Sequence, residues 1–371
     1  MKTMIKLMLL AWTLILASCD DSYHCGLTTT INDDGSITRE YTLHLDSTQL
    51  LTGKPDNASN MVQLGRGWKL EWALKESTQR QPLPMDRTTF NRLQEQCRKD
   101  SRKVSDTIVV YARKTFPTAE EASRETHFKV VTRDLNPILS VEKSTGLFHT
   151  EYRFTETFPK QDIKYPVPLR KFFTDDEIGF WFKGSPNLVQ GLSGIEMDDV
   201  IDNIKEKYED WMLANMFELY YQAIVDHYDQ ASAGAMDKQQ FLALHDSLLT
   251  QCLKSEADMK SFELQGSDWF KAQLHSTAYN KILDNEEIMK APTELILLSG
   301  ALSKMNIDYQ VFMPYSDKPQ LTTHMNGFKL LVDKVQYKAT ITHSHPWAYI
   351  VLAVLLVLSL TGLVFFRKKN R

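Results

Sequence analysis

The stretch Thr28-Thr29-Thr30-Ile31-Asn32-Asp33-Asp34-Gly35-Ser36-Ile37-Thr38-Arg39-Glu40-Tyr41-Thr42-Leu43-His44-Leu45 decides how the rest of the chain is read. An Asp-Gly step readily supplies the positive φ that a tight turn needs, so Thr28 to Ile31 and Ile37 to Leu45 are predicted to pair as a hairpin. The β pattern continues outward from it. Trp68, Leu70, Trp72 and Leu74 alternate with Lys69, Glu71, Ala73 and Lys75, the period of two that buries one face of a strand. A helix is predicted from about Arg87 to Lys99, a strand over Thr107 to Ala112, and a short helix from the capping box of Thr118 and Glu121. Strands at Phe128 to Thr132, Ile138 to Glu142 and Leu147 to Thr157 follow, the last two turning through Lys143 to Gly146.

Pro159, Pro166 and Pro168 then mark a linker that can neither join a central strand nor continue a helix. Beyond it the pattern turns helical. Ser193 and Glu196 form a capping box ahead of a stripe through Val200, Ile204, Tyr208, Trp211, Leu219, Ala223 and His227, with a skip near Asn215. A single helix to Gln230 would be ~54 Å long at 1.5 Å per residue, so a break or bend is expected. Further helices are predicted at 237–255, 267–282 and 292–304. Tyr309 to Met313 and Gly327 to His343 return to β, with a switch of the apolar face near Asp333 that suggests a bulge or bend.

The two ends of the chain carry a different kind of signal. Lys2 and Lys6 precede an apolar stretch from Leu7 to Leu16, and small residues lead to Cys19, the order of a secretory signal. Leu16-Ala17-Ser18-Cys19 resembles a bacterial lipobox, whose cysteine is lipidated and becomes the new N-terminus. Asp20 resembles the residue that retains lipoproteins in the inner membrane of enteric bacteria. Near the other end, Trp347 to Phe366 is a 20-residue run with no charge and no proline, long enough on paper for a ~30 Å hydrocarbon core. Arg367, Lys368, Lys369 and Arg371 follow it, which by the positive-inside rule places that end in the cytoplasm.

These readings predict an α+β fold with this organisation: 1–18 a lipoprotein signal peptide, 19–171 and 307–345 an antiparallel β-rich ectodomain, 172–306 a helical insertion, 347–366 a C-terminal transmembrane helix and 367–371 a basic cytoplasmic tail. With both ends of the ectodomain meeting one membrane face, its first and last strands are expected to run antiparallel in one sheet. The expected location is the bacterial inner membrane, with the ectodomain extracytoplasmic.

Composition narrows the partners. Setting aside the two lysines before Cys19 and the four basic tail residues leaves 37 Lys+Arg against 47 Asp+Glu, a net of −10, which opposes binding to nucleic acid or anionic headgroups. The remaining cysteines, Cys25, Cys97 and Cys252, suggest neither zinc ligation nor a redox pair; a Cys25–Cys97 bridge and three buried thiols are both compatible with the spacing. The lipobox, the Asp-Gly hairpin at Asn32 to Ser36 and the Trp347 run together resemble the layout of LppM-type bacterial lipoproteins. That resemblance covers little of the chain, implies a membrane lipoprotein, and carries no catalytic residues.

No catalytic motif survives inspection. His343 and His345 could offer two imidazoles on one strand face, but no third metal ligand is identifiable. Asp226, His227 and Asp229 could form an acid–base cluster, and equally a helix end with a satisfied histidine. Phe180, Trp181 and Phe182 could line a groove for a ligand or partner; packing against the sheet is the competing use. No cofactor is implied. The expected function is a doubly anchored, non-enzymatic envelope lipoprotein that binds another envelope protein, with a ligand- or lipid-binding module and an envelope hydrolase as alternatives.

Overall fold

In the computed structural model, which describes residues 23–55, 61–254 and 259–369, the hairpin forms as β1 (His24–Ile31) and β2 (Ile37–Leu43). Gly35 takes φ +88° at the turn, and the Asp34 carboxylate accepts hydrogen bonds from Ser36 N at 2.9 Å and Ser36 Oγ at 2.7 Å. Around this hairpin the chain adds β4 (Lys69–Leu74), β5 (Gln81–Pro82), β6 (Ile108–Phe116), β11 (Asn306–Phe312) and β12 (Leu321–Asn326), giving a seven-stranded sheet in the order β12-β11-β1-β2-β6-β4-β5. A second sheet holds β9 (Ile138–Thr145), β10 (His149–Phe158) and β13 (Val335–Ser344), and a third holds β3 (Val62–Gln63), β7 (His127–Val130) and β8 (Arg133–Leu135).

The architecture is therefore mixed α/β with several sheets, which corrects the expected antiparallel body. β1 pairs with β11 in parallel, from His24 opposite Asn306 to Thr30 opposite Phe312. Parallel neighbours need a long crossover, and everything between β2 and β11 in sequence provides one. The first and last strands do not share a sheet either, because β13 pairs with β10. They also run the same way: Tyr337 of β13 packs on Tyr309 of β11 at 5.4 Å between ring centroids, and His343 further along β13 stacks on Tyr315, just past β11, at 4.0 Å. The chain enters at the pole marked by His24 and leaves at the pole marked by Tyr315, with β1 itself accounting for ~23 Å of the separation at about 3.3 Å per step.

A second correction concerns the C-terminal run. Residues Pro346–Lys369 are helical (α11 below), with side chains described as far as Thr361. Among the described residues no helix is long and apolar enough to cross a membrane. The transmembrane span expected at 347–366 does not stand.

Outside the sheets the helices are α1 (Ser47–Thr52), α2 (Arg87–Lys99), α3 (Ala119–Glu125), α4 (Asp175–Lys183), α5 (Gly194–Asp226), α6 (Lys238–Ala243), α7 (His245–Lys254), α8 (Met259–Leu274), α9 (Asn280–Leu283), α10 (Glu286–Lys304) and α11 (Pro346–Lys369). The 33-residue α5 is continuous, ~50 Å long at 1.5 Å per residue, where a break was expected. Its apparent skip is a buried asparagine with a job. Asn215 Oδ1 accepts from Val167 N at 2.7 Å and Nδ2 donates to Trp211 O at 2.8 Å, while Trp211 Nε1 donates to Val167 O at 2.9 Å, so the proline linker is tied to the helix. Buried polar groups cost little when paired in this way.

The expected long strand from Gly327 also divides. Gly327–Leu331 is a 3-10 turn and β13 begins only at Val335. Gly327 fits because a Cβ there would stand 2.6 Å from Leu302 O, on the C-terminal turn of α10. In β4, Trp72 and Ala73 are both buried while Leu74 is exposed, so the strand is covered on both faces at that point and the expected single apolar face is not kept.

The two larger sheets meet over a charged core. Arg39 of β2 and Glu156 of β10 are wholly buried, and Tyr309 Oη donates to the same carboxylate. Arg39 Nη1 also donates to Thr29 Oγ1 at 2.6 Å. Desolvating such ions costs several kcal/mol each, which the hydrogen bonds of both Nη groups and both carboxylate oxygens offset, while the buried Arg39 Nε has no partner among the described residues.

Candidate functional site

Cys19 lies outside the described residues. The aromatic triplet sits on α4, whose capping box of Thr174 and Glu177 is complete, and Lys207 Nζ of α5 reaches Glu177 Oε1 at 2.6 Å. Phe182 is buried, edge-on to Phe173 at 5.7 Å, Phe328 at 6.0 Å and Trp211 at 6.5 Å between ring centroids. Trp181 stacks on Phe328 at 5.5 Å, and its Nε1 is buried with no hydrogen-bond partner among the described residues. Phe180 is half-buried against the same core. The three residues join α4 and α5 to the 3-10 turn at 327–331.

His343 on β13 and His345 just past it make separate local contacts. His343 stacks on Tyr315, whereas His345 Nδ1 donates to Leu147 O at 3.2 Å and its Nε2 lies 2.9 Å from Thr150 Oγ1. Among the described residues, no group of three or more His, Cys, Asp or Glu is arranged to hold a metal ion. At the end of α5, His227 Nδ1 donates to Ala223 O at 3.1 Å and Asp226 accepts from Gln222 Nε2 at 2.7 Å, so these two close a helix end and do not converge. Cys25, Cys97 and Cys252 are buried and form no disulfide with one another, and burial raises the thiols of Cys25 and Cys252, the latter to about 12. Neither is a nucleophile near neutral pH.

Two polar constellations emerge that the sequence reading missed. In the first, His245 bridges α5 and α7: Nε2 lies 2.7 Å from Glu218 Oε1 and Nδ1 lies 2.8 Å from Asp246 Oδ1. Carboxylate oxygens only accept, so both ring nitrogens must carry a proton and His245 is an imidazolium here. Burial works against that charge, yet the hydrogen bonds to Asp246 and Glu218 raise its pKa overall. Asp246 also lines a shallow depression of about 590 Å³ with Ser247, Thr250, Gln251 and Lys254, all on one helix.

In the second, four neighbouring strands contribute at the entry pole. His24 Nε2 donates to Asp308 Oδ2 at 3.0 Å and His324 Nδ1 donates to Asp308 Oδ1 at 2.8 Å. His324 Nε2 faces Asn306 Oδ1 at 3.1 Å, and that amide is fixed in this orientation because its Nδ2 donates to Lys304 O at 3.0 Å. His324 is thus held between the Asp308 carboxylate and the Asn306 amide oxygen. His44, just past β2, lies with its ring 6.3 Å from that of His24 and nearly parallel to it. The hydrogen bonds from His324 and then His24 hold the Asp308 carboxyl below its usual range. Asp308 and His324 stand directly opposite one another in the β11–β12 register, but 284 residues separate His24 from Asp308, and no sequence spacing signals that contact.

No protein-family model, curated protein or solved structure matches this chain.

Proposed function

We propose that the chain is a bacterial envelope lipoprotein, held at a membrane through lipid on Cys19, whose folded body binds another component of the envelope without catalysing a reaction. The observation that carries this reading is the complete Leu16-Ala17-Ser18-Cys19 pattern, after a basic and then apolar leader, five residues before β1 begins at His24. The organisation of polar groups supports a binding role. The Arg39–Glu156 ion pair is sealed in the core, while His24, Asp308 and His324 lie at an open surface where a macromolecule can reach them. The two acyl chains of a diacylglyceryl group on Cys19 would suffice for stable attachment.

The test is metabolic labelling with an alkyne analogue of palmitate in cells producing either the natural chain or Cys19→Ala. Label on the natural chain and none on Cys19→Ala is the expected pair of results. Equal labelling of both, or of neither, removes the basis for the lipoprotein reading.

A further inference from the structure

We infer that β13 is a self-association edge, along which a second copy of this chain adds its own β13 antiparallel to make one continuous six-stranded sheet. β13 is an edge of the sheet β13-β10-β9 and runs for 10 residues, Val335 to Ser344, without a proline. The outward-facing backbone groups follow from a hydrogen bond at its end. His345 N donates to Phe148 O at 2.7 Å, and these two residues stand opposite one another when the register of His149 with Ser344 is extended by a step. Opposite residues in an antiparallel ladder alternate between bonded and non-bonded pairs, so the odd-numbered residues of β13 bond to β10 and the even-numbered ones face away. Gln336, Lys338, Thr340, Thr342 and Ser344 therefore turn their N–H and C=O groups to the open side. Among the described residues these backbone groups have no hydrogen-bond partner, and all five residues are exposed.

The opposite edge of the same sheet is protected, and this one is not. At β9, Ser123 of α3 closes the start of the edge, its Oγ accepting from Leu139 N at 2.7 Å and donating to Leu139 O at 3.2 Å, and Lys143 turns inward with Nζ 5.1 Å from the centre of the Tyr152 ring. The edges β3, β5 and β8 are only two or three residues long. Short strands, covered backbone and inward-pointing lysines prevent edge-to-edge pairing. β13 is long and uncovered, and its charged residue, Lys338, is compatible with self-pairing. Centred on Thr340, the pairing brings every open group into a bond: Gln336 faces Ser344 of the second copy, Lys338 faces Thr342 of the second copy, and Thr340 faces its own counterpart. Centred on Lys338, it would instead set two lysines opposite one another and leave Thr342 and Ser344 with no strand to meet. The inner face of β13 gains as well. Val335, Tyr337 and Ile341 are only half-buried at the edge of the core, and in the Thr340 register Tyr337 meets His343 and Ile341 meets Ala339 of the second copy. A contact that uses the same patch on both copies closes at a dimer.

The experiment uses the full chain purified in a non-ionic detergent, with its mass followed by sedimentation equilibrium. Thr342→Lys places a second lysine opposite Lys338 of the other copy, on both sides of the two-fold axis, and should weaken the dimer about fivefold. Adding Lys338→Glu turns both repulsions into attractions and should restore it. The two positions are exposed and about 14 Å apart along one strand at about 3.4 Å per residue, so the rescue cannot arise within one copy. Thr340→Cys should form a disulfide-linked dimer under mild oxidation, because facing bonded residues have Cα atoms about 5.5 Å apart. Ser140→Cys on β9, exposed but roughly 24 Å from its counterpart at about 4.8 Å per strand, should not exceed the background set by the parent chain's own cysteines. A parent chain that stays monomeric at tens of micromolar overturns the proposal. So does a dimer that Thr342→Lys leaves unchanged, a weakened dimer that Lys338→Glu fails to restore, or equal cross-linking through Ser140→Cys and Thr340→Cys.

Discussion

Arg39 and Glu156 form a two-pronged ion pair with neither side chain exposed at all, Nη2 standing 2.7 Å from Oε1 and Nη1 2.8 Å from Oε2. The pair joins β2 in the larger sheet to β10 in the second, across the interface that holds the sheets together. Burial opposes the arginine's charge, but facing Glu156 raises the Arg39 pKa further, so the cation persists at any pH the fold survives.

Breaking this pair on one side should cost far more than removing both charges. Arg39→Met or Glu156→Gln leaves an uncompensated or under-satisfied group in the core, and each single change is expected to destabilise by about 3–5 kcal/mol. The double change Arg39→Met with Glu156→Met should lose clearly less than the two singles added together. Urea unfolding of the four proteins checks this; strict additivity would mean that the pair carries no coupling.

The helical region contains a pH dependence of definite sign. His245 has a raised pKa in the folded state, so its contribution is complete below the unfolded value of about 6.5 and is lost as pH climbs through the higher folded value. The natural protein should therefore exceed His245→Gln in melting temperature by more at mildly acidic pH than at mildly alkaline pH. A difference that is constant across that range, or larger on the alkaline side, contradicts the bridge to Glu218 and Asp246.

The parallel pairing of β1 with β11 can be tested by cross-linking. Thr28 and Gln310 are direct register partners, and bridged Cα atoms lie within about 7 Å. Thr28→Cys with Gln310→Cys should oxidise readily, and Thr28→Cys with Lys338→Cys should stay reduced, because β13 belongs to another sheet. Non-reducing electrophoresis after mild oxidation separates the outcomes, and the opposite pattern would restore a sheet shared by the first and last strands.

For the aromatic triplet, Phe182→Ala should cost about 3–5 kcal/mol, in keeping with loss of a buried ring that touches four others. A denaturation midpoint close to that of the natural protein would instead favour an open groove whose residues wait for a ligand.

Local chemistry was the part of the fold most legible in the sequence. The Asp-Gly turn at Asp34 and Gly35, the α2 helix and the capping boxes at Thr174 and Ser193 all rest on residues within a few positions of one another, and all appear where short-range rules put them. What failed depended on distant partners. Asn215 read as a gap in an apolar stripe because its partner, Val167, lies 48 residues away. Strand direction failed for the same reason: the expectation that both ends meet one membrane face imposed antiparallel ends, whereas hydrogen bonding across a long crossover set β1 and β11 parallel. The histidine sets were invisible because each is assembled from separate elements, and His245 gives no local sign that Glu218 will face it.

Whether the mature chain begins at Cys19 and carries acyl groups decides more than any other single fact. Intact-mass and N-terminal peptide mass spectrometry on protein purified from membranes measures it directly. The expected species starts at Cys19, with the added mass of a diacylglyceryl group on its sulfur. A chain that starts at Met1, or one that contains an unmodified Cys19, would contradict the lipoprotein reading.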